Sequence, residues 1–270
     1  MTLTDRTLAT DAGYFALGNE VFELLGAKFL RNRASPDIYD ANHVAGARPT
    51  TPEQIEELLA AVEREFKAAK HRRFIADYRT PPEFVARLVL DGYEREDALL
   101  SLLEGELLGP AAEEFDIRPV ESELDWDAYW ELMLKDWHEH IARLKRKVKD
   151  DIARQMLHTK KLKQPPAQYF MAYVRNRPVA YFNSWAGIDG VGQVEDLFTL
   201  PRFRKRGIAR ALIHHCVADA RAKGAGPVII AADPIDTPKH IYAAMGFRPL
   251  VVQSHYTKHL AGEGRVINKP

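Results

Sequence analysis

The sequence has few of the features that secreted or membrane proteins need. It contains one cysteine in 270 residues, so no disulfide can form within the chain. No apolar run reaches the ~18 residues of a membrane-spanning helix. Met1 to Asp11 lack the basic and apolar regions of a secretory signal. We therefore expect a protein of a reducing compartment, the cytoplasm, without membrane contact.

The sequence also lacks net charge, because two segments cancel. Residues 1–115 hold 13 basic and 21 acidic side chains, and residues 116–270 hold 25 and 17, giving net charges of −8 and +8. Residues 143–163 hold nine of the basic side chains and two acidic ones. We expect this stretch to be a solvated helix face. Contact with an anionic acceptor or with the acidic first segment is the alternative, and nucleic acid is disfavoured as a partner because no base-reading pattern is present.

The length favours two domains or one large domain, and Gly109-Pro110 marks the best boundary. We predict an accessory domain over 1–115 and a catalytic domain over 116–270. The second segment predicts an α/β fold with a mixed sheet. Its expected elements are a strand at 117–120, a helix from Trp126 capped by Asp125, a helical stretch at 138–158, strands at 169–175, 179–186 and 193–200, a helix at 207–223, a strand at 228–232, a helix at 238–245 and a strand at 247–257. A helix joins strands 193–200 and 228–232, which indicates a parallel pair.

The first segment resembles the end of the second. Phe74-Ile75-Ala76-Asp77 before Thr80-Pro81 matches Ile230-Ala231-Ala232-Asp233 before Thr237-Pro238, and a helix is expected after each. Strand-like residues then recur, Leu99 to Leu102 against Val251 to Ser254, and a helix at 52–70 corresponds to the helix at 207–223. These matches predict a duplicated fold. The alternative is that two α/β segments share common turn chemistry.

The most informative stretch joins strand 193–200 to helix 207–223. Its loop carries four basic residues, Arg202, Arg204, Lys205 and Arg206, before Gly207-x-Ala209. The first N–H groups of a helix have no intrahelical partner and lie at the positive end of its dipole. Small residues there let a pyrophosphate approach the backbone. The stretch has neither G-x-x-x-x-G-K-[ST] nor G-x-G-x-x-G, so nucleotide hydrolysis and dinucleotide binding are disfavoured.

Two motifs carry a family resemblance. Arg204-x-x-Gly207-x-Ala209 resembles the [QR]-x-x-G-x-[GA] acetyl-CoA loop of the GNAT N-acetyltransferase superfamily, and Tyr242-x-x-x-Gly246-Phe247 resembles the Tyr-x-x-x-Gly-Phe ending of its core. The order of elements also matches over about 117–260. The resemblance implies transfer of an acetyl group from acetyl-CoA to a primary amine of a small molecule or peptide by direct attack. A non-catalytic acyl-CoA sensor and a protein-lysine acetyltransferase are the alternatives.

The resemblance also implies residue roles. Backbone groups at Leu197 and Thr199 would bind the pantetheine arm, and amides from Lys205 to Arg210 would hold the pyrophosphate. The full cofactor-binding set is Leu197, Phe198, Thr199, Arg204, Lys205, Arg206, Gly207, Ile208, Ala209 and Arg210.

The catalytic candidates are Glu195 and Tyr242. Glu195 would be the general base, directly or through water, and Tyr242 the general acid. An ammonium attacks only once deprotonated, and a phenol of pKa ~10 suits a departing thiolate. Asp196 is the rival base, and because neighbours on a strand alternate in direction, we expect at most one of the two carboxylates to face the cleft.

The first segment departs from the family pattern. Residues 44–52 contain two prolines and no Arg-x-x-Gly-x-Ala, and proline lacks the N–H that an anion site needs. We therefore expect a degenerate GNAT-like copy that serves as scaffold or acceptor-site wall, with one acetyl-CoA bound per chain. His138-x-His140 and His214-His215 lack metal-ligand spacing, so no metal is expected.

Overall fold

All eleven strands of the described residues belong to one mixed sheet. The computed structural model describes residues 1–109, 114–143, 150–235 and 238–260. The helices are α1 Leu3–Ala16, α2 Pro52–Glu65, α3 Pro82–Leu90, α4 Glu123–Arg143, α5 Asp150–Leu162, α6 Ile208–Ala222 and α7 Pro238–Ala244, with short 3-10 helices at Tyr39–Ala41 and Pro201–Phe203. The strands are β1 Glu20–Leu24, β2 Ala27–Arg31, β3 His43–Ala45, β4 His71–Ala76, β5 Glu94–Leu103, β6 Asp116–Pro119, β7 Gln168–Val174, β8 Arg177–Ile188, β9 Val191–Thr199, β10 Val228–Ala232 and β11 Arg248–His259.

The two segments repeat one order of elements. The order β1-β2-β3-α2-β4-α3-β5 recurs as β7-β8-β9-α6-β10-α7-β11. In each copy the third and fourth strands are parallel and are joined by a helix, β3 with β4 and β9 with β10. The α/β fold with a mixed sheet, built as a tandem of GNAT-like halves, is therefore confirmed.

The last strand of each segment lies in the sheet of the other. The strand order is β1-β2-β3-β4-β11-β5-β10-β9-β8-β7-β6, so β11 separates β4 from β5, and β5 separates β11 from β10. The two last strands pair with each other, with Leu100 opposite Val251 and Leu99 opposite Val252. These pairs lie in the two strand-like stretches that the sequence predicts to be copies of each other. The predicted boundary at residues 115 and 116 stays a prediction, since one sheet runs across both segments.

The hydrophobic core shows the same exchange. Tyr256 of β11 packs in the core of the first segment. Tyr14, Tyr39 and Leu103 of the first segment pack in the core of the second. Helix α1, which the sequence patterns did not indicate, lies on β8 and β9, where Thr10 Oγ1 donates a 3.0 Å hydrogen bond to the carbonyl of Val191. The first segment thereby reaches the strand that carries Glu195.

Two helix boundaries differ from the expectation. Asp125 lies inside its helix rather than before it, because α4 begins at Glu123. Asp125 N donates to Ser122 Oγ at 3.2 Å, and Ser122 N donates to Asp125 Oδ2 at 2.9 Å. This reciprocal capping box moves the start of the helix upstream. Residues 138–143 continue α4 instead of opening a second helix, and 144–149 lie outside the described residues.

The expected solvated face over 143–163 is wrong for Lys160 and Lys163, whereas Arg154 is exposed as expected. Lys160 and Lys163 are only 8% and 7% exposed. Lys160 pairs with Asp196, and Lys163 Nζ donates to the carbonyl of Tyr14 at 2.6 Å. A helix face packed between the two segments buries its lysines, which sequence charge alone cannot indicate. None of the helices in the described ranges is long and apolar enough to cross a membrane.

Candidate active site

A cleft opens where β9 and β10 diverge. Their parallel pairing is confined to Gly192 with Val228 and Gln193 with Ile229. Further along β9, the register with β8 shifts by one residue after Glu195, and Asp196 has a positive φ of 67°. Such a bulge bends a strand and interrupts its ladder. A cavity of about 570 Å³ lies beyond this point, between the ends of the two strands.

One end of this cavity is the N-terminus of α6. Gly207 precedes the helix in the left-handed region, with φ of 81°, and no side chain caps the first turn. The residues of that turn line the cavity, so its N–H groups and the positive helix end are available to an anion.

The N-terminus of α2, which corresponds in the first segment to the N-terminus of α6, is less available to an anion. Thr51 Oγ1 accepts a 3.3 Å hydrogen bond from Gln54 N at the start of α2, and Pro52 occupies the first turn. A capped start with a proline leaves fewer N–H groups for an anion.

The structure brings nearly all predicted site residues to this cavity. Those that line it are Glu195, Leu197, Phe198, Thr199, Arg204, Lys205, Gly207, Ile208, Ala209, Arg210 and Tyr242, together with the rival base Asp196. Arg206 does not line it, and its guanidinium lies 5.4 Å from the centre of the Phe203 ring. Arg204 donates to the carbonyl of Thr199 at 2.9 Å and to Glu139 Oε2 at 2.7 Å. It therefore ties the loop to β9 and α4 rather than offering its charge to an anion.

A smaller inner cavity, of about 70 Å³, adjoins the cleft. Five residues line both: Asp136, His140, Glu195, Asp196 and Ala231. The remaining wall of the inner cavity comes from both segments, and the first segment contributes Asp11 and Tyr14 of α1 and Asp40 of the first 3-10 helix, among others. The first segment thus forms part of the wall beside Glu195.

The expectation that only one of the two adjacent carboxylates faces the cleft is wrong. Glu195 and Asp196 both line both cavities, because the positive φ at Asp196 breaks the alternation of a regular strand. Their partners differ. Asp196 pairs with Lys160 and accepts a 3.2 Å hydrogen bond from Asn183 Nδ2, whereas no ion pair of Glu195 occurs among the described residues.

Glu195 is coupled to Asp11 through one amide. Gln193 Nε2 donates to Glu195 Oε2 at 3.2 Å and to Asp11 Oδ1 at 3.3 Å. Burial, reinforced by the charges of Asp196 and Asp11, raises the pKa of Glu195 to about 8. Burial likewise raises the pKa of Asp11 to about 7, against the hydrogen bond from Gln193. Near neutral pH, this pair can take up and release a proton.

Sequence reasoning missed the contributions of α4 and α1. Asp136 and His140 are four residues apart and line both cavities, and Tyr181 Oη donates a 2.6 Å hydrogen bond to Asp136. The i, i+4 spacing of two polar side chains on a helix was the available signal. Asp11 carries no such signal, since its role depends on α1 packing against the other segment.

The described residues contain no group of three or more His, Cys, Asp or Glu side chains that could hold a metal ion. The carboxylates of the site face a lysine, an asparagine and a glutamine instead. The arrangement suits proton transfer beside an anion-binding helix start.

Known proteins resemble the chain in two ways. Residues 126–247 match the model of the acetyltransferase (GNAT) family, and no curated protein matches the chain in sequence. A conserved protein of unknown function from Staphylococcus epidermidis has a TM-score of 0.70 at 17% identity, covering 96% of this chain and 98% of its own. A GCN5-related N-acetyltransferase from Kribbella flavida has a TM-score of 0.65 at 18% identity, covering 96% of each chain.

A tandem GNAT protein from the clavulanic acid biosynthesis pathway also shares the fold. Its TM-score is 0.56 at 13% identity, with 88% of this chain and 79% of that chain covered. The duplicated architecture therefore occurs in a solved tandem protein. Residues 126–247 therefore match the GNAT acetyltransferase family, and the chain shares its fold with solved GNAT proteins.

Proposed function

We propose that the protein transfers an acetyl group from acetyl-CoA to a primary amine by direct attack. One observation carries this proposal: the cavity with an uncapped helix start at one end is continuous with carboxylates at the other. The pyrophosphate would bind the N–H groups of Gly207 to Arg210, and the pantetheine arm would follow Leu197 to Thr199. The thioester would then lie toward Glu195 and the inner cavity.

Two side chains would move the protons. Glu195 would accept a proton from the incoming ammonium, directly or through water, and the raised pKa makes it a stronger base than an ordinary carboxylate. The amine lone pair attacks the thioester carbonyl, and the C–S bond breaks as the tetrahedral intermediate collapses. Tyr242, which lines the cleft and is 6% exposed, would give its proton to the departing thiolate and regain one from the nitrogen, which loses its second proton as the amide forms. Asp196 is the less suitable base because it already pairs with Lys160.

The small volume of the inner cavity favours a small acceptor over a protein lysine. This cavity lies between the two segments and has room for only a compact molecule. The first segment would act as its wall, with acetyl-CoA bound once per chain because the start of α2 is capped. The single cysteine, Cys216, is buried and free, which fits a cytoplasmic enzyme.

The test is release of CoA thiol on mixing enzyme, acetyl-CoA and a panel of amines, with acetyl-CoA affinity measured by calorimetry. We expect turnover with at least one small amine and one acetyl-CoA per chain. Glu195→Gln should lower kcat by about 100-fold or more and leave acetyl-CoA affinity within about twofold. Binding without turnover across the panel would favour an acyl-CoA sensor, and two bound molecules per chain would contradict the loss of the first site.

A further inference from the structure

The inner cavity has more buried negative charge than its own cations neutralise. Five carboxylates line it: Asp11, Asp40, Asp136, Glu195 and Asp196. Of its two lysines, Lys160 pairs with Asp196, whereas Lys163 donates to the carbonyl of Tyr14 and its charge acts on Asp40 and Asp11 without a direct ion pair. Two lysines therefore face five carboxylates. Buried carboxylates without a countercharge are costly. A cationic ligand would remove that cost.

Three of these carboxylates form no ion pair among the described residues: Asp11, Asp40 and Glu195. Asp11 is 2% exposed and is hydrogen-bonded to Gln193 rather than to a cation. Asp40 has neither a hydrogen bond nor an ion pair to its carboxylate within the described ranges. The charge of Arg73 acts on Asp40 and lowers its pKa without a direct ion pair, and the guanidinium donates to Thr257 Oγ1 and His255 Nδ1, each at 2.7 Å.

These carboxylates lie at two places. Glu195 is at the junction with the cleft, because it lines both cavities, whereas Asp11 and Asp40 line only the inner one. Gln253 also lines the inner cavity, and its Oε1 is buried and has no hydrogen-bond partner. The inner cavity therefore offers acceptor groups both where it meets the cleft and away from the cleft.

The space between them suits a short aliphatic chain. A buried water needs roughly 10–15 Å³ of such space, so about 70 Å³ holds about five to seven atoms of that size. Apolar side chains also line this cavity, among them Ile38, Met133 and Trp137. A four-carbon diamine has about six non-hydrogen atoms and carries its charges at its two ends.

We propose that the acceptor is a compact aliphatic diamine bound as a dication, with the reacting amine at Glu195 and the distal ammonium held by Asp11 and Asp40 of the first segment. This assignment rests on the proposed acetyl transfer. The reacting ammonium gives a proton to Glu195, its nitrogen bonds to the acetyl carbon, and the C–S bond breaks. The thiolate takes the Tyr242 proton, and the nitrogen loses its second proton to the Tyr242 oxygen as the amide forms. The products are a mono-N-acetyl diamine and CoA, with one proton left on Glu195. The distal ammonium stays charged throughout.

The experiment compares 1,4-diaminobutane with butylamine and 4-aminobutanoate, which match its chain and replace the distal ammonium with a methyl group or a carboxylate. We expect kcat/KM for the diamine to exceed that for butylamine by tenfold or more, with 4-aminobutanoate the poorest. Asp40→Asn should reduce the preference for the diamine over butylamine at least fivefold. Asp116→Asn serves as the control, since Asp116 is exposed in the last strand of the sheet. This variant should keep the preference for the diamine over butylamine. Asp11→Asn provides a second variant should Asp40→Asn fail to fold.

Binding is measured separately, by calorimetry of each amine against the enzyme with CoA bound. Diamine binding that is tighter than butylamine binding and weakened by Asp40→Asn supports the site even without turnover. That result would contradict the proposed acetyl transfer and support the proposed cation site. Equal or better use of butylamine or 4-aminobutanoate, or an unchanged preference in both Asp variants, would overturn the diamine while leaving acetyl transfer intact.

Discussion

Replacing Asp11 by Asn should lower the pKa of Glu195 and move the acid limb of the pH–rate profile to lower pH. Glu195 works as a base only when deprotonated, so activity should rise with pH through its pKa of about 8. Asp11 raises that pKa because its negative charge disfavours a second one nearby. Asparagine keeps the shape of the side chain and removes the charge.

The size of the effect follows from the bridging amide. Gln193 Nε2 is 3.2 Å from Glu195 Oε2 and 3.3 Å from Asp11 Oδ1, so these oxygens are at most about 6.5 Å apart. Two unit charges at that distance repel by about 2.5 kcal/mol at an effective dielectric constant of ~20, or about two pKa units. Asp11 is partly protonated near its own pKa of about 7, which reduces the effect. We therefore expect a shift of about one unit. Burial and Asp196 still hold the pKa of Glu195 above the ordinary value.

The assay is kcat/KM against pH from 5.5 to 10 for both forms with the same amine, so that the ionisation of the substrate cancels in the comparison. Asp116→Asn controls for the loss of one negative charge elsewhere on the molecule. An acid limb that stays in place in Asp11→Asn would refute the coupling. A limb that moves to higher pH would also refute it, since it would mean that Asp11 favours the charged form of Glu195.

Three further outcomes test the site and its surroundings. Tyr242→Phe should lower kcat by about 100-fold with acetyl-CoA affinity within about twofold by calorimetry, and unchanged turnover would remove Tyr242 from the mechanism. Gly207→Val should weaken acetyl-CoA binding tenfold or more, because a β-branched residue strains at φ of 81°, whereas Gly226→Ala, beside the end of α6, should not. Asp11→Asn should raise the melting temperature at pH 8 and not at pH 3.5. A buried carboxyl whose pKa is raised to about 7 loses stability as pH rises from about 4 through 7, so equal gains at both pH values would contradict its charged state.

The second segment was largely predictable from sequence, because its information is local. The strand, loop, glycine and helix around Gly207 follow one another along the chain, and turn residues mark the strands. The predicted strand at 228–232 is β10 to the residue. Short-range signals of this kind, such as apolar periodicity and helix-stop glycines, do not depend on what packs against them.

The inner cavity was not predictable, because it depends on contacts between residues far apart in the chain. Asp11 and Asp40 reach the site through α1 and a 3-10 helix of the other segment. The bulge at Asp196 turns two adjacent carboxylates toward one cavity, against the alternation of a regular strand. No pattern in residues 190–200 indicates where that alternation fails. The charge asymmetry was also a poor guide, because it suggested contact between the basic stretch and the acidic first segment. The ion pairs described for α5 instead join it to Asp196 and Glu123 of its own segment.

The exchanged last strands have a consequence for synthesis on the ribosome. β4 emerges long before the strand that covers its edge, β11, with Ser254 opposite Ala76. Pairs separated by ~180 residues raise contact order and slow folding, and an uncovered strand edge can template aggregation meanwhile. The first segment therefore cannot complete its sheet before β11 has been translated. We expect a stalled or truncated chain that ends before β11 to present the open edges of β4 and β5 to chaperones.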